Sequence, residues 1–232
     1  MRTMLIYIIC ILGLNPVCVL SQDAEKILDD VIKNYAKVTD YQADIHIVTD
    51  IPFIRVLPMN AKIYFKQPDK VRLVSKGIAI LPRQGFDQMY KTVGDRKNYT
   101  VVPQGSDTIS GVDASVISIL PLSDTMEVIL GKFWIDTTRK VILKSQMTTR
   151  TNGTIIASYS YGKFAEYGLP EKMTFLVDVK KFKIPKAVAV DLNNYNKKDE
   201  QAGKEGRKGK IEISLKNYII NKGIPNKIFS DK

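Results

Sequence analysis

The sequence predicts an α+β domain in which one amphipathic helix packs on a large, curved antiparallel sheet. Three observations lead there. Apolar residues recur at helical spacing near the start, at Ala24, Ile27, Leu28, Val31, Ile32 and Tyr35. From Tyr41 the period falls to two, in runs separated by hairpin turns. Several of these runs are apolar on both faces, so the sheet is expected to be covered on both sides. A helix with one apolar face must bury it, and the rest of the chain is almost entirely strand-like.

The chain has 232 residues, 44% of them hydrophobic and 25% charged, which suits one globular domain. Its first residues read differently. Met1 and Arg2 lead into the apolar run Met4 to Leu12, Asn15-Pro16 interrupts it, and Val19-Leu20-Ser21 supplies the modest residues of a cleavage site. Residues 1–21 are therefore expected to be a secretory signal, cleaved near Ser21/Gln22, with 22–232 as the mature domain. A rival reading makes Cys18 a lipid-modified N-terminus, although Asn15-Pro16-Val17 lacks the small residues that such processing favours. Cleavage removes Cys10 and Cys18 together, so a mature chain without disulfides must be held by its core.

The elements come in order along the chain. The helix over residues 24–35 is expected to carry Asp23 and Glu25 in its first turn and Lys33 and Lys37 in its last, as the dipole prefers. Tyr41, Ala43, Ile45, Ile47 and Thr49 alternate with Gln42, Asp44, His46, Val48 and Asp50, a half-buried strand. Strands over 60–66 and 71–75 flank the turn Gln67-Pro68-Asp69-Lys70. Gly94-Asp95 and Asn152-Gly153 mark further turns, the second between strands at 144–149 and 154–161. Gly168-Leu169-Pro170 introduces a strand at 172–179, and a last pair at 187–195 and 210–220 is joined by the charged loop 197–210. Ile78 to Pro82 and Val116 to Pro121 read as loops or short capping segments, and the irregular apolar run 53–59, broken by Arg55 and Pro58, as a flexible lip.

Residues 126–135 show no clean alternation, and they lead into FWIDTTRKVILK (133–144), where the single tryptophan precedes a polar turn and a second apolar run. A closed sandwich explains this, and so does a sheet curved around helices with an apolar cavity. Trp134 is expected to border the interior in either case, against packed core or against bound acyl chain.

Few groups suggest chemistry. His46 is the only histidine and falls on the polar face of its strand, where a solvated side chain is the plain reading. There is no glycine-rich phosphate loop and no nucleophile elbow. Glu127 and Asp136 are acids near the tryptophan, but an aspartate beside Thr137-Thr138 is explained by bonding to its own turn. No cofactor or metal is expected. With Arg2 lost alongside the signal, 34 basic residues remain against 24 acidic ones, a formal +10. The basic residues are scattered and mixed with acids, so nucleic acid is not an expected partner. Anionic lipid headgroups suit such a surface, but general solubility is the plainer reading of scattered charge.

Three segments resemble a known family. Tyr64-Phe65-Lys66-Gln67-Pro68-Asp69-Lys70-Val71-Arg72 is similar to the F-K-x-P-D-K-x-R hairpin of the LolA-like lipoprotein carrier and sorting proteins. Phe133-Trp134-Ile135-Asp136 with Lys140-Val141-Ile142-Leu143-Lys144 resembles their W-I-D…L-K hairpin, and Gly168-Leu169-Pro170-Glu171-Lys172 their G-L-P-x-K strand entry, in the same order. The resemblance implies a half-open antiparallel barrel of roughly eleven strands, with helices over the concave face and a cavity for acyl chains. The lining candidates are Phe53, Ile54, Leu57, Met59, Phe65, Ile80, Phe86, Trp134, Ile142, Met147 and Phe175, and the family's lid arginine corresponds to Arg55, Arg72 or Arg83. Segment 104–125 holds too little helix to match the family's lid, which points to a divergent sorting-protein paralogue.

Three functions are weighed on these grounds. The first is a non-catalytic periplasmic carrier, a monomer taking acyl chains of lipoproteins or lipids toward the outer membrane, with a membrane donor or acceptor protein as partner. The second is a periplasmic sensor or regulatory module of the same fold that binds a protein. An enzyme is the weakest, for want of any catalytic constellation.

Overall fold

The computed structural model describes residues 17–51, 57–75, 94, 96–151, 153–178 and 208–230, with only the backbone for 17–22. The first element is a single helix, α1 (Val17–Ala36). It begins earlier than the apolar stripe suggests. Asp23 and Glu25 consequently lie beyond its first turn, and Lys37 lies just past its end while Lys33 stays in the last turn. Lys37 instead donates through Nζ to the Asn34 side chain (2.8 Å) and to the Glu166 carbonyl (3.2 Å).

Ten strands succeed it among the described residues: β1 (Asp40–Asp50), β2 (Met59–Lys66), β3 (Lys70–Ser75), β4 (Tyr99–Ile109), β5 (Val112–Pro121), β6 (Val128–Asp136), β7 (Val141–Thr149), β8 (Gly153–Ser160), β9 (Lys172–Asp178) and β10 (Lys208–Ile220). They form one antiparallel sheet in the order β3-β2-β1-β10-β9-β8-β7-β6-β5-β4, with β3 and β4 as its two edges, so it stays open. Neighbours are mostly joined by hairpins. The exception is β1, which pairs with β10 from the far end of the chain, Ile45 opposite Leu215 and Ile47 opposite Ile213.

The loop expected at residues 116–121 is the second half of β5. It pairs with β4 and β6, which is why its isoleucines are buried. Its partner β4 is an edge strand that tolerates Pro103, and between Pro103 and Ser106 the register shifts at a bulge holding Gly105 with φ +87°. Ser110 and Gly111 then turn the hairpin with φ of 51° and 81°, the left-handed pair such two-residue loops require. The strand proposed at 187–195, the loop at 197–207 and the Gly94-Asp95 turn fall wholly or partly outside the described residues.

One face of the sheet packs on α1. Ala24, Leu28 and Val31 of the helix share a core with Ile45, Ile47, Ile63, Phe65, Ile117, Ile119, Phe133, Ile135, Ile142, Phe175, Ile211 and Ile213. Tyr35 meets the Phe65 ring at a centroid distance of 5.8 Å, tying the end of the helix to β2. Gly131 leaves the space that the Ile119 side chain fills, since a Cβ there would lie 2.7 Å from its Cγ1. The other face carries a small second core of Ala114, Val116, Trp134, Val141 and Leu143. Coverage on both sides explains the missing alternation in β6. In β7 a register shift at Leu143 brings Leu143 and Lys144 to the same face.

Leu28 is wholly buried at the centre of the helix stripe. Truncating it to alanine is expected to cost about 2–5 kcal/mol, read as a lower urea midpoint with an unchanged slope.

Candidate functional site

The α1 side of the sheet, here called inner, gathers most of the apolar candidates that can be placed. Phe65, Ile142 and Phe175 belong to the core shared with Leu28, and Met59 packs against it from the start of β2. Met147 is buried opposite Gly131 and Ile155 on the same face. These side chains converge, and they do so as packed core around the helix. Leu57 is apart from them, 82% exposed just before β2. Phe53, Ile54, Ile80, Phe86, Arg55 and Arg83 lie outside the described residues.

Two candidates are corrected by their strand parity. Trp134 alternates with Phe133 and Ile135, which face α1, so its ring falls on the outer face. There its Nε1 donates to Asp107 Oδ2 (2.8 Å), and the ammonium groups of Lys132 and Lys144 stand 4.9 and 4.4 Å from its ring centroid. It borders the second core and does not line the inner face. Arg72 likewise points outward, opposite Tyr64, and donates through Nη1 to the Ser230 carbonyl (2.9 Å), which anchors the C-terminal segment. Among the described residues, Arg96 reaches the helix, with Nη2 at 3.4 Å from Glu25 and Nε at 3.3 Å from Asp29, its guanidinium 5.2 Å from the Tyr99 ring centroid.

The helix is also clipped by Asn34, which is 4% exposed. Its Nδ2 lies within hydrogen-bond distance of the Arg139, Lys140 and Ala165 carbonyls (3.4, 3.3 and 3.2 Å), joining α1 to the β6–β7 turn and to the short turn before β9.

The ionisable groups considered for chemistry are committed elsewhere. Asp136 Oδ1 accepts the backbone N–H groups of Thr138 and Arg139, both at 2.9 Å, and its Oδ2 accepts Arg139 Nε at 2.6 Å. Burial opposes its ionisation, but the Arg139 N–H and guanidinium outweigh that and hold the carboxyl below its ordinary value. The aspartate thus bonds its own turn, as the sequence suggested. Glu127 accepts the Thr151 hydroxyl and backbone N–H. His46 is exposed on the polar face of β1, as expected, with Nδ1 at 2.8 Å from Asn60 Oδ1.

The outer face also carries a cavity of about 820 Å³, over the strands β3, β2, β1 and β10. Asp44, His46, Asn60, Lys62, Val74, Ser214, Lys216 and Asn217 line it. Sequence reasoning put Asp44 and His46 on the polar face of a strand and singled out none of the others. A usable signal was the break of alternation at Leu215-Lys216-Asn217-Tyr218, which the structure explains by a bulge with Asn217 at φ 54°.

No protein-family model and no curated protein matches the sequence. Solved structures do match the fold. A DUF1329 family protein from Desulfovibrio piger aligns with a TM-score of 0.59 at 12% identity, over 93% of this chain and 98% of its own. A domain described as an outer membrane lipoprotein-sorting protein, from Vibrio parahaemolyticus, aligns at 0.59 and 10% identity, over 90% and 97% of the two chains. A LolA superfamily protein from Nitrosomonas europaea gives 0.53 at 11%, again over 90% and 97%. The chain has the LolA-like fold.

The site's geometry sets two expected outcomes. Because Asp136 titrates lower when folded than when unfolded, where carboxylates titrate near ~3.9, its contribution is full above that value and is lost as pH falls through the folded one. Asp136→Asn is expected to cost about 1–3 kcal/mol at pH 7 and to flatten the fall in stability between pH 5 and 2, measured by urea unfolding. Trp134 emission is expected to stay unchanged when a fatty-acyl detergent is added below its micelle concentration, since the indole is 6% exposed beneath two lysines.

Proposed function

We propose that the protein is an exported, non-catalytic carrier that takes acyl chains of lipids or lipoproteins out of water and passes them toward the outer membrane. The observation that carries this reading is the architecture: an antiparallel sheet that stops short of closing, apolar toward α1, with a preformed cavity on its other face. Removing acyl chain from water is worth ~25 cal/mol per Å² buried, so a carrier needs apolar enclosure and no reaction chemistry. The fold shared with a lipoprotein-sorting domain supports the class of ligand, as an analogy between folds. Against an enzyme stand the engagements of Asp136, Glu127 and His46 with neighbouring groups. Export rests on the sequence of residues 1–21, and in a bacterium of the outer-membrane type it places the mature domain in the periplasm.

Native mass spectrometry of the protein recovered from a bacterial periplasm tests this. The expected spectrum contains lipid adducts on a monomer whose chain begins at or near Gln22. A chain starting at a lipidated Cys18 would contradict the soluble carrier, and a stoichiometric protein partner with no lipid would replace it by the regulatory module.

A further inference from the structure

We propose that the outer-face cavity binds an anionic amphiphile, its carboxylate or phosphate head over Lys216 and Lys62 and its apolar tail along the Val74 side. This rests on the carrier reading and deepens it by naming the place and the head-group chemistry.

The register builds the site. One row across four strands runs Val74, Lys62, Asp44, Lys216, and the next runs Asn60, His46, Ser214. The bulge in β10 sets two residues, Asn217 and Tyr218, against Ala43 alone on β1, so Asn217 joins Lys216 beside Asp44. Asp44 is the one carboxylate among the described lining residues, and it is occupied: Lys62 Nζ lies 3.3 Å from Oδ1, and Asn217 Nδ2 donates to Oδ2 at 2.9 Å. The side chain of Lys216, exposed in the same row, makes no hydrogen bond or ion pair with the described residues. With Lys62 paired to Asp44, the row carries one net positive charge, that of Lys216.

The surroundings narrow the ligand. A volume of about 820 Å³ lies in the range of small-molecule sites, ~300–1,000 Å³. Val74 is 48% exposed, an apolar side chain set beside the charged row. A nucleotide would call for several cations or a glycine-rich cradle, and a divalent metal for several acidic ligands. A stacked sugar or base would use an aromatic face, and none of the described lining residues is aromatic apart from the imidazole of His46, which is held by Asn60. One anionic head with an apolar tail matches a row of placed polar groups that ends at the half-exposed Val74 on the edge strand.

Calorimetric titration of the full chain with oleate, oleyl phosphate, oleyl alcohol, acetate and inorganic phosphate tests the proposal. Lys216→Glu is expected to weaken oleate and oleyl phosphate about tenfold or more, as for loss of a charge-assisted contact, and to change oleyl alcohol by less than about twofold. Val74→Asp is expected to weaken all three long-chain ligands, with melting curves showing that both variants remain folded. If both variants bind oleate like the wild type while Met59→Ala on the inner face weakens it, the ligand sits against α1; the outer site is then wrong and the carrier reading stands. If acetate or phosphate binds as tightly as its long-chain counterpart, the site takes a bare anion and the amphiphile is wrong. If the wild type, freed of endogenous lipid, binds no long-chain ligand, the carrier reading itself falls.

Discussion

The sheet has an inner face too wide and too apolar to meet water, and α1 is the element that covers its centre. The constraint works in both directions. Leu28 and Val31 can be buried only because the sheet curves around them, and Phe133, Ile135 and Ile142 lose water only while the helix is seated. Full burial of side chains of this size is worth about 1.5–3 kcal/mol each. Polar ties then fix where the helix lies. Asn34 holds one end to the β6–β7 turn, and Arg96 reaches Glu25 and Asp29 from the approach to β4. The ion pairs are half-exposed, so they add little energy and mainly set position.

The turn that receives Asn34 is itself built by a buried acid. Asp136 closes it by accepting the Thr138 and Arg139 N–H groups, which leaves the Arg139 and Lys140 carbonyls turned toward the helix. A similar device closes the far end of the chain. Asp40, at the start of β1, accepts the N–H groups of Lys222 and Gly223, while Asn221 accepts from Thr39. Pairing of β1 with β10 joins residues some 170 positions apart, and these caps fix where that pairing ends.

Much of the fold was legible because its strongest signals are local. The helix stripe, the alternation from Tyr41 to Thr49 and the turns at Pro68, Gly153 and Gly168 all became elements at those places. The illegible parts come from bulges and from two-sided burial. No strand was expected over residues 99–109, where Pro103 and Gly105 interrupt the pattern, although an edge strand with a bulge accommodates both. In β7, Val141, Ile142 and Leu143 alternate between the outer and inner cores, so burial on both faces hides the period, and the shift at Leu143 then puts Leu143 and Lys144 on one face. Trp134 was expected against packed core or bound acyl chain and packs in the second core, but its face was not legible: when Phe133, Trp134 and Ile135 are all buried, composition cannot say which parity faces the helix. The inner-face candidates were readable as apolar strand residues. The outer cavity was not, since it arises from register across four strands.

Those energies also bear on where a ligand sits. To lie among Phe65, Ile142 and Phe175, an acyl chain must first displace side chains already at 0–3% exposure, and exposing Leu28 and Val31 alone costs about 3–6 kcal/mol. Each methylene buried returns ~0.8 kcal/mol, so the first several carbons would only restore what was lost. The outer cavity is already formed, with Lys62 and Asn217 held on Asp44. A head group arriving there meets Lys62 already held on Asp44, and has the Lys216 side chain left to order. On the proposed reading the inner face serves the fold, and the outer face takes up and releases the ligand without unseating the helix.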